Sequence, residues 1–258
     1  MTNATINLQT ASAHQVLAAA GKKYLRPGGK IATEQLLQWA NFQPGATVLE
    51  LASGFAYSAI YLAQKYNVKV FGIEKNPESV AIACANIRAA GLENKIKIIQ
   101  GDIFHLDDIL GKFDYVLAEA ILTMQSPLGK SKLLTSIHHR LKPGGKFLSH
   151  ELLARKQEVE IHNDLARIMK VNSTPLSEVN WIDTFAASGL KVEKHQTGSM
   201  NLLNINQIVK DEGLFNTLRI FWNVLTQSSI RQRVLDMRRL FHQYHDELGY
   251  IILSAVVE

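Results

Sequence analysis

Two hydrophobic rhythms alternate along this chain. Five short stretches read as strands: Val48 to Leu51, which is apolar around Glu50, and Val68 to Ile73, Lys95 to Gln100, Phe113 to Ala118 and Lys146 to Leu153, which mix apolar with polar residues. The run at Val48 predicts a strand covered on both faces, as in a parallel sheet. Between them, apolar residues recur at three and four positions: Ile60 after Tyr57, Ile137 after Leu133 and Leu134. That spacing predicts amphipathic helices, and strands alternating with helices predict an α/β fold. Further helices are expected before the first strand, over residues 11–24 and Thr33 to Trp39. Ile161, Leu165, Ile168 and Met169 predict another, and one more starts near Ser177 and stops at Gly189. Lys191 to Gln196 and Tyr250 to Val257 complete the set as late strands.

The turn after the first strand carries candidate chemistry. Glu50 ends the apolar run, and Ala52, Ser53, Gly54, Phe55 and Ala56 form a loop of mainly small residues before a helix. Small residues let a ligand approach the backbone closely, and the first amides of a helix suit its anionic parts. Such a turn serves nicotinamide, flavin and sulfonium cofactors alike. A second acid, Glu74, ends the second strand about 20 residues on, where a carboxylate can accept the hydroxyls of a cofactor ribose. Asn76-Pro77-Glu78 then predicts a capped helix start.

Glu50 to Ala56, followed by Glu74, resembles the acid-x-Gly-x-Gly-x-Gly motif and ribose acid of class I S-adenosylmethionine (SAM)-dependent methyltransferases. Gly101-Asp102-Ile103 is similar to their adenine-binding motif, and Leu141-Lys142-Pro143-Gly144-Gly145 to their turn before strand five. The resemblance covers residues 25–195. It implies a seven-stranded, mostly parallel, doubly wound sheet with a helical insertion between the last two strands. It also implies SAM as cofactor and S-adenosylhomocysteine as product. The residues it nominates for the cofactor are Glu50, Ala52, Ser53, Gly54, Ala56, Glu74, Lys75, Asp102, Ile103 and Glu119. Gly28 and Gly29, in an Arg-Pro-Gly-Gly loop, are expected to close over the methionine end or to form an ordinary turn. Ala52 and Ala56 stand where the family usually has glycine, and Ala56 would add a methyl near the methionine. The domain reading is 1–45 as helices and lid, 46–197 as core, 198–248 as helical cap and 249–258 as final strand.

Two residues are candidates for catalysis. Glu119 follows strand four and should face the ligand crevice. His150, at the end of strand five, is the natural proton acceptor by its pKa, although alternation sends His150 and Glu151 to opposite faces. The absence of Pro-Pro-aromatic after Glu119 argues against the nucleic-acid amino-methyltransferases. Strand four running into Glu119-Ala120, strand five ending His150-Glu151 and a late arginine-rich helix resemble uncharacterised bacterial methyltransferases.

In the insertion, Leu214, Leu218, Phe221 and Leu225 form one stripe, with Phe215 and Trp222 beside it. A second helix is expected to open on a Ser229/Gln232 capping box and continue through Val234, Met237, Phe241, Tyr244 and Leu248. Both stripes should be buried, on each other or over the crevice.

Composition narrows the rest. The 258 residues are 47% hydrophobic, enough for one large α/β domain with an appendage. The single cysteine, Cys84, permits no internal disulfide, and His242 with His245 offers two metal ligands without a third, so no metal is expected. The opening MTNATINLQT lacks signal-peptide character, no run is long enough to span a bilayer, and a cytoplasmic location is expected. A net charge of +5 permits an anionic partner. The basic clusters, Lys22 to Lys30 and Arg231 to Arg239, read as solvated faces, so nucleic acid is not the expected partner. The reading is a methyltransferase acting on a small or medium-sized metabolite by proximity and exclusion of water. An RNA methyltransferase, a SAM-binding protein without turnover, and a dehydrogenase are the rivals; the last rests on Tyr61-x-x-x-Lys65, on the wrong helix for such a pair.

Overall fold

Seven strands form one sheet in the computed structural model, which describes residue 8 and residues 10–257. The start of the chain, MTNATIN, on which the signal-peptide reading rests in part, lies outside them. In chain order the strands are β1 (Thr47–Leu51), β2 (Lys69–Glu74), β3 (Ile96–Gln100), β4 (Phe113–Glu119), β5 (Leu141–Ala154), β6 (Leu190–Ser199) and β7 (Leu248–Val257). Their order across the sheet is β3-β2-β1-β4-β5-β7-β6. The pairs β1 with β2, β1 with β4, β2 with β3 and β4 with β5 are all parallel. The register sets Glu50 opposite Gly72, Glu74 opposite Gln100, and Glu119 opposite His150. Acidic residues thereby collect at the carboxyl ends of neighbouring strands, where an open α/β sheet holds its ligand.

The described residues fall into two compact units, with 34–151, 179–196 and 252–257 in the sheet unit and 8, 10–33, 152–178 and 197–251 in the other. These divisions differ from the sequence boundaries at 45, 197 and 248. In the sheet unit, α3 (Tyr57–Tyr66), α4 (Pro77–Ala89), α5 (Pro127–Arg140) and α7 (Glu178–Ala186) flank the strands. The expected cap of α4 forms, with Asn76 accepting from the amides of Glu78 and Ser79. Pro143 and the two glycines after it lie within β5, where Phe113 pairs with Leu141 and Tyr115 with Lys146 across an irregular register.

The second unit is helical: α1 (Ala13–Ala19), α6 (Glu158–Met169), α8 (Ile205–Glu212), α9 (Leu214–Thr226) and α10 (Ser228–Gln243). Its core joins Val16 and Leu17 to Ile161, Leu165, Met237 and Leu240, which is why residues 152–178 belong here. The insertion, long enough for several helices, holds three, the first of them capped by Asn204 through the amides of Asn206 and Gln207. Two expectations are corrected in this unit. The Ser229/Gln232 capping box does not form; α10 begins at Ser228 after Gln227, which makes no side-chain cap. The stripe on α9 is not buried: Leu214, Phe215, Leu218, Phe221, Trp222 and Leu225 are all exposed, while Thr217 and Ile220 face the core. The other stripe does pack, through Met237, Phe241, Tyr244 and Leu248. No helix among the described residues is long and apolar enough to cross a membrane.

Candidate active site

The loop after β1 is a left-handed corner repeated three times. Ala52, Gly54 and Ala56 have φ of 53°, 53° and 64°, a region that favours glycine. This is the physical reason a glycine pattern fits the loop, and alanine at two of the positions carries strain. A side chain built on Gly54 would meet nothing within 4 Å, so the backbone there borders open space. Ala56, by contrast, is wholly buried at 0% exposure. Its methyl therefore packs inside the protein and is not the group a methionine end would meet, which corrects the expectation drawn from the sequence.

Glu74 holds this loop. Its Oε2 accepts the Gly54 amide at 2.8 Å and its Oε1 accepts the Asn76 amide at 2.9 Å. The Gly54 N–H is thus directed at the acid on β2, and the Ser53 and Ala56 amides bond the oxygens of Ile73 and Ser53. The amides of Phe55 and Tyr57, at the mouth of α3, meet no acceptor among the described residues. Gly72 makes room for Ser53, since a Cβ there would come within 2.2 Å of its Oγ. Asn86 on α4 fixes the far side by donating to the Phe55 oxygen at 3.0 Å. Glu50 itself is buried at the end of β1.

Asp102 follows β3 and opens a 3-10 turn, accepting the Phe104 amide at 3.0 Å and the Lys75 ammonium at 2.9 Å. The Phe104 amide first, and Lys75 second, hold its carboxyl below the usual range. Ile103 begins that turn. Glu119 is half-buried at the tip of β4 and accepts the Ser58 hydroxyl at 2.6 Å from the first turn of α3. The sheet unit therefore gathers Gly54, Glu74, Lys75, Asp102, Ile103 and Glu119 around the ends of β1 to β4. Nothing near Ser58 in the sequence signals a partner 61 positions away.

His150 and Glu151 are both fully buried. The amide of Ala120 donates to the His150 oxygen at 2.6 Å, tying the ends of β4 and β5. Glu151 accepts from the amides of Leu122 and Thr123 and from the hydroxyls of Thr123 and Ser149, at 2.7 to 3.1 Å. Burial pushes its carboxyl up to about 7, while the four donors oppose the rise. This acid shapes the turn after β4. Glu119, by contrast, is half-buried, as are Glu74 and Asp102 at the neighbouring strand ends.

Gly28 and Gly29 belong to the helical unit. Gly29 is the first residue of α2 (Gly29–Ala40), not part of a preceding loop. Its amide donates to the Arg26 oxygen, and the next amide, of Lys30, to Asp211 at 2.9 Å. Side chains on Gly28 or Gly29 would collide with the Tyr250 ring or the Asp211 carboxylate, so both glycines have a packing role. The same unit contains a cleft of about 530 Å³ bordered by Arg167, Lys170, Arg233 and Arg239, which includes none of the nominated residues. Of the two histidines weighed as metal ligands, His245 has its ring nitrogens beside the His242 oxygen and Asp246.

Comparison with known proteins identifies the family and the fold. A family model described as a methyltransferase domain matches residues 42–209. An uncharacterised protein of Haemophilus influenzae is 33% identical over 90% of this chain and 92% of its own length. A phosphoethanolamine N-methyltransferase of Plasmodium falciparum is 30% identical over 54% of this chain, which spans about half (51%) of that relative. Among solved structures, a SAM-dependent methyltransferase of Geobacter sulfurreducens in complex with S-adenosylhomocysteine superposes with a TM-score of 0.70. The match covers 95% of this chain and 98% of that one at 16% identity, a likeness of fold. With its strand order, its acid-tipped β1 and β2 and a family match over well more than half its length, the chain belongs to the methyltransferase-domain family.

Proposed function

We propose that this protein transfers a methyl group from SAM to a small or medium-sized acceptor. The observation that carries the reading is the Glu74 carboxylate at the tip of β2, joined to Gly54 of the small-residue loop at 2.8 Å, beside open space. In this reading Glu74 accepts the ribose hydroxyls through lone pairs its two amide donors leave unused. Asp102 and Ile103 flank the adenine, with Lys75 at their edge. The Phe55 and Tyr57 amides and the positive end of α3 meet the carboxylate of the amino acid part. Glu119 faces its ammonium group.

Bound SAM supplies an already electrophilic methyl, so the chain's task is to hold the acceptor in line and keep water out. A strong base is not required, which fits the full burial of His150. A relative named for phosphoethanolamine supports a small acceptor and puts phosphoethanolamine first in an assay panel. Calorimetric titration with SAM, S-adenosylhomocysteine and NADH is the deciding experiment, followed by mass detection of methylated products. Micromolar binding of the two sulfur ligands with product formation supports the proposal. Binding of NADH alone overturns it in favour of a dehydrogenase, and cofactor binding without turnover across the panel favours a binding-only protein.

A further inference from the structure

The exposed stripe of α9 repeats at a spacing of four, three and four: Leu214, Leu218, Phe221 and Leu225. This is the seam spacing by which one helix packs along another. Its exposures are 61%, 58%, 37% and 63%, and the flanking Phe215 and Trp222 reach 89% and 68%. Isolated exposed apolar residues are ordinary, but six on one helix are not. Taking about 200 Å² for an aromatic and about 120 Å² for a leucine, these exposures leave roughly 600 Å² of apolar surface open. A standard interface takes about 800 Å² from each partner, and the largest patch on a typical monomer is about 300–600 Å². The neighbouring α8 exposes Ile205 and Val209 as well.

We propose that α9 is a self-association surface, and that its occupant is the α9 of a second copy of this chain. Charge selects this occupant. The chain carries a net charge of +5, so two copies repel weakly overall, and a contact through a charged face of one sign would add to that repulsion. In α9 the single ionisable residue is Arg219, which lies off the seam with its guanidinium over Gly21. An uncharged seam meets itself without that penalty. A twofold contact between antiparallel helices makes the seam self-complementary, with the axis between Leu218 and Phe221. The opposite side of α9 is fixed within its own unit by Thr217, Ile220 and the bonds of Asn216 and Asn223 to the oxygens of Gly21 and Ala20. The helix is thus presented as a firm surface. The proposal does not depend on which acceptor is methylated.

Sedimentation velocity of the full chain over a range of concentration tests it. A monomer–dimer equilibrium with Kd of about 1–10 μM is expected, since the apolar area is somewhat below the standard size. Leu218→Glu buries a charge at the axis and should weaken association at least tenfold, with the melting temperature of the dilute monomer, well below the dissociation constant, unchanged. Leu110→Glu, at a 93% exposed leucine of the sheet unit, should leave association as in the parent chain. Acrylamide quenching of Trp222, read as the difference between the parent chain and Trp222→Phe, should fall as dimer forms. A chain that stays monomeric up to about 100 μM overturns the proposal, as does a dimer that Leu218→Glu does not weaken. Flotation of the monomer with phosphatidylserine vesicles would assign the face to a lipid surface and also overturn it.

Discussion

Replacing Glu74 probes the cofactor loop most directly, because one carboxylate has two separable duties. It accepts the Gly54 amide at 2.8 Å and the Asn76 amide at 2.9 Å. Glu74→Ala leaves both donors without it. Asn76 is exposed and its amide can turn to water, whereas Gly54 is half-buried and pays more of the loss. A hydrogen bond to a charged acceptor contributes about 1.5–3 kcal/mol, so stability should fall by about that amount through Gly54. Loss of the ribose contacts should weaken S-adenosylhomocysteine binding by a further 1.5–3 kcal/mol, roughly 10- to 150-fold. Glu74→Gln should not rescue the loop, because its amide nitrogen would face one of two backbone donors. Calorimetry reads the affinity, and hydrogen exchange of the Gly54 amide in the free protein reads the loop. A folded Glu74→Ala protein with parental affinity and parental Gly54 protection would refute both duties.

Glu151 links stability to pH. With its carboxyl raised from 4.5 to about 7, the native chain holds this proton more tightly than the unfolded chain. Stability should therefore fall as pH rises through 4.5 to 7, by roughly 3 kcal/mol in full, and stay flat from this group above that window. Glu151→Gln, which resembles the protonated acid, should flatten the melting temperature across the same window; an unchanged slope would disprove the linkage. Ala52→Gly relieves left-handed strain at an exposed site and should stabilise by about 0.5–1 kcal/mol, while Ala56→Gly also empties a buried methyl site and should be near neutral. Equal thermal shifts for the two would contradict that account. Asp102→Ala removes the acceptor of the Phe104 amide and the Lys75 pair, and should weaken S-adenosylhomocysteine about tenfold or more. Lys75→Ala, at a side chain 83% exposed, should change the melting temperature little, which a thermal scan checks.

The sequence by itself determined the sheet and the positions of its acidic tips. Buried central strands are largely apolar, so the runs around Val48 and Val116 are legible, the β-branched stretches around Val70 and Ile98 read as strands beside them, and a polar residue ending such a run marks the rim where ligands bind. It determined the cap at Asn76 for the same reason: the interaction is local, and its residues are adjacent. Contacts between distant residues left no such trace. Ser58 meeting Glu119, Glu151 gathering Thr123 and Ser149, and Asn86 holding Phe55 depend on which strand tips the sheet makes neighbours. Backbone conformation settled Ala56, whose left-handed turn carries the methyl into the protein interior. The α9 stripe shows the limit most clearly. Periodicity reports that one face of a helix is apolar, but tertiary packing turned Thr217 and Ile220 inward, on the side where Asn216 and Asn223 bind backbone oxygens, and left the leucines and aromatics outward.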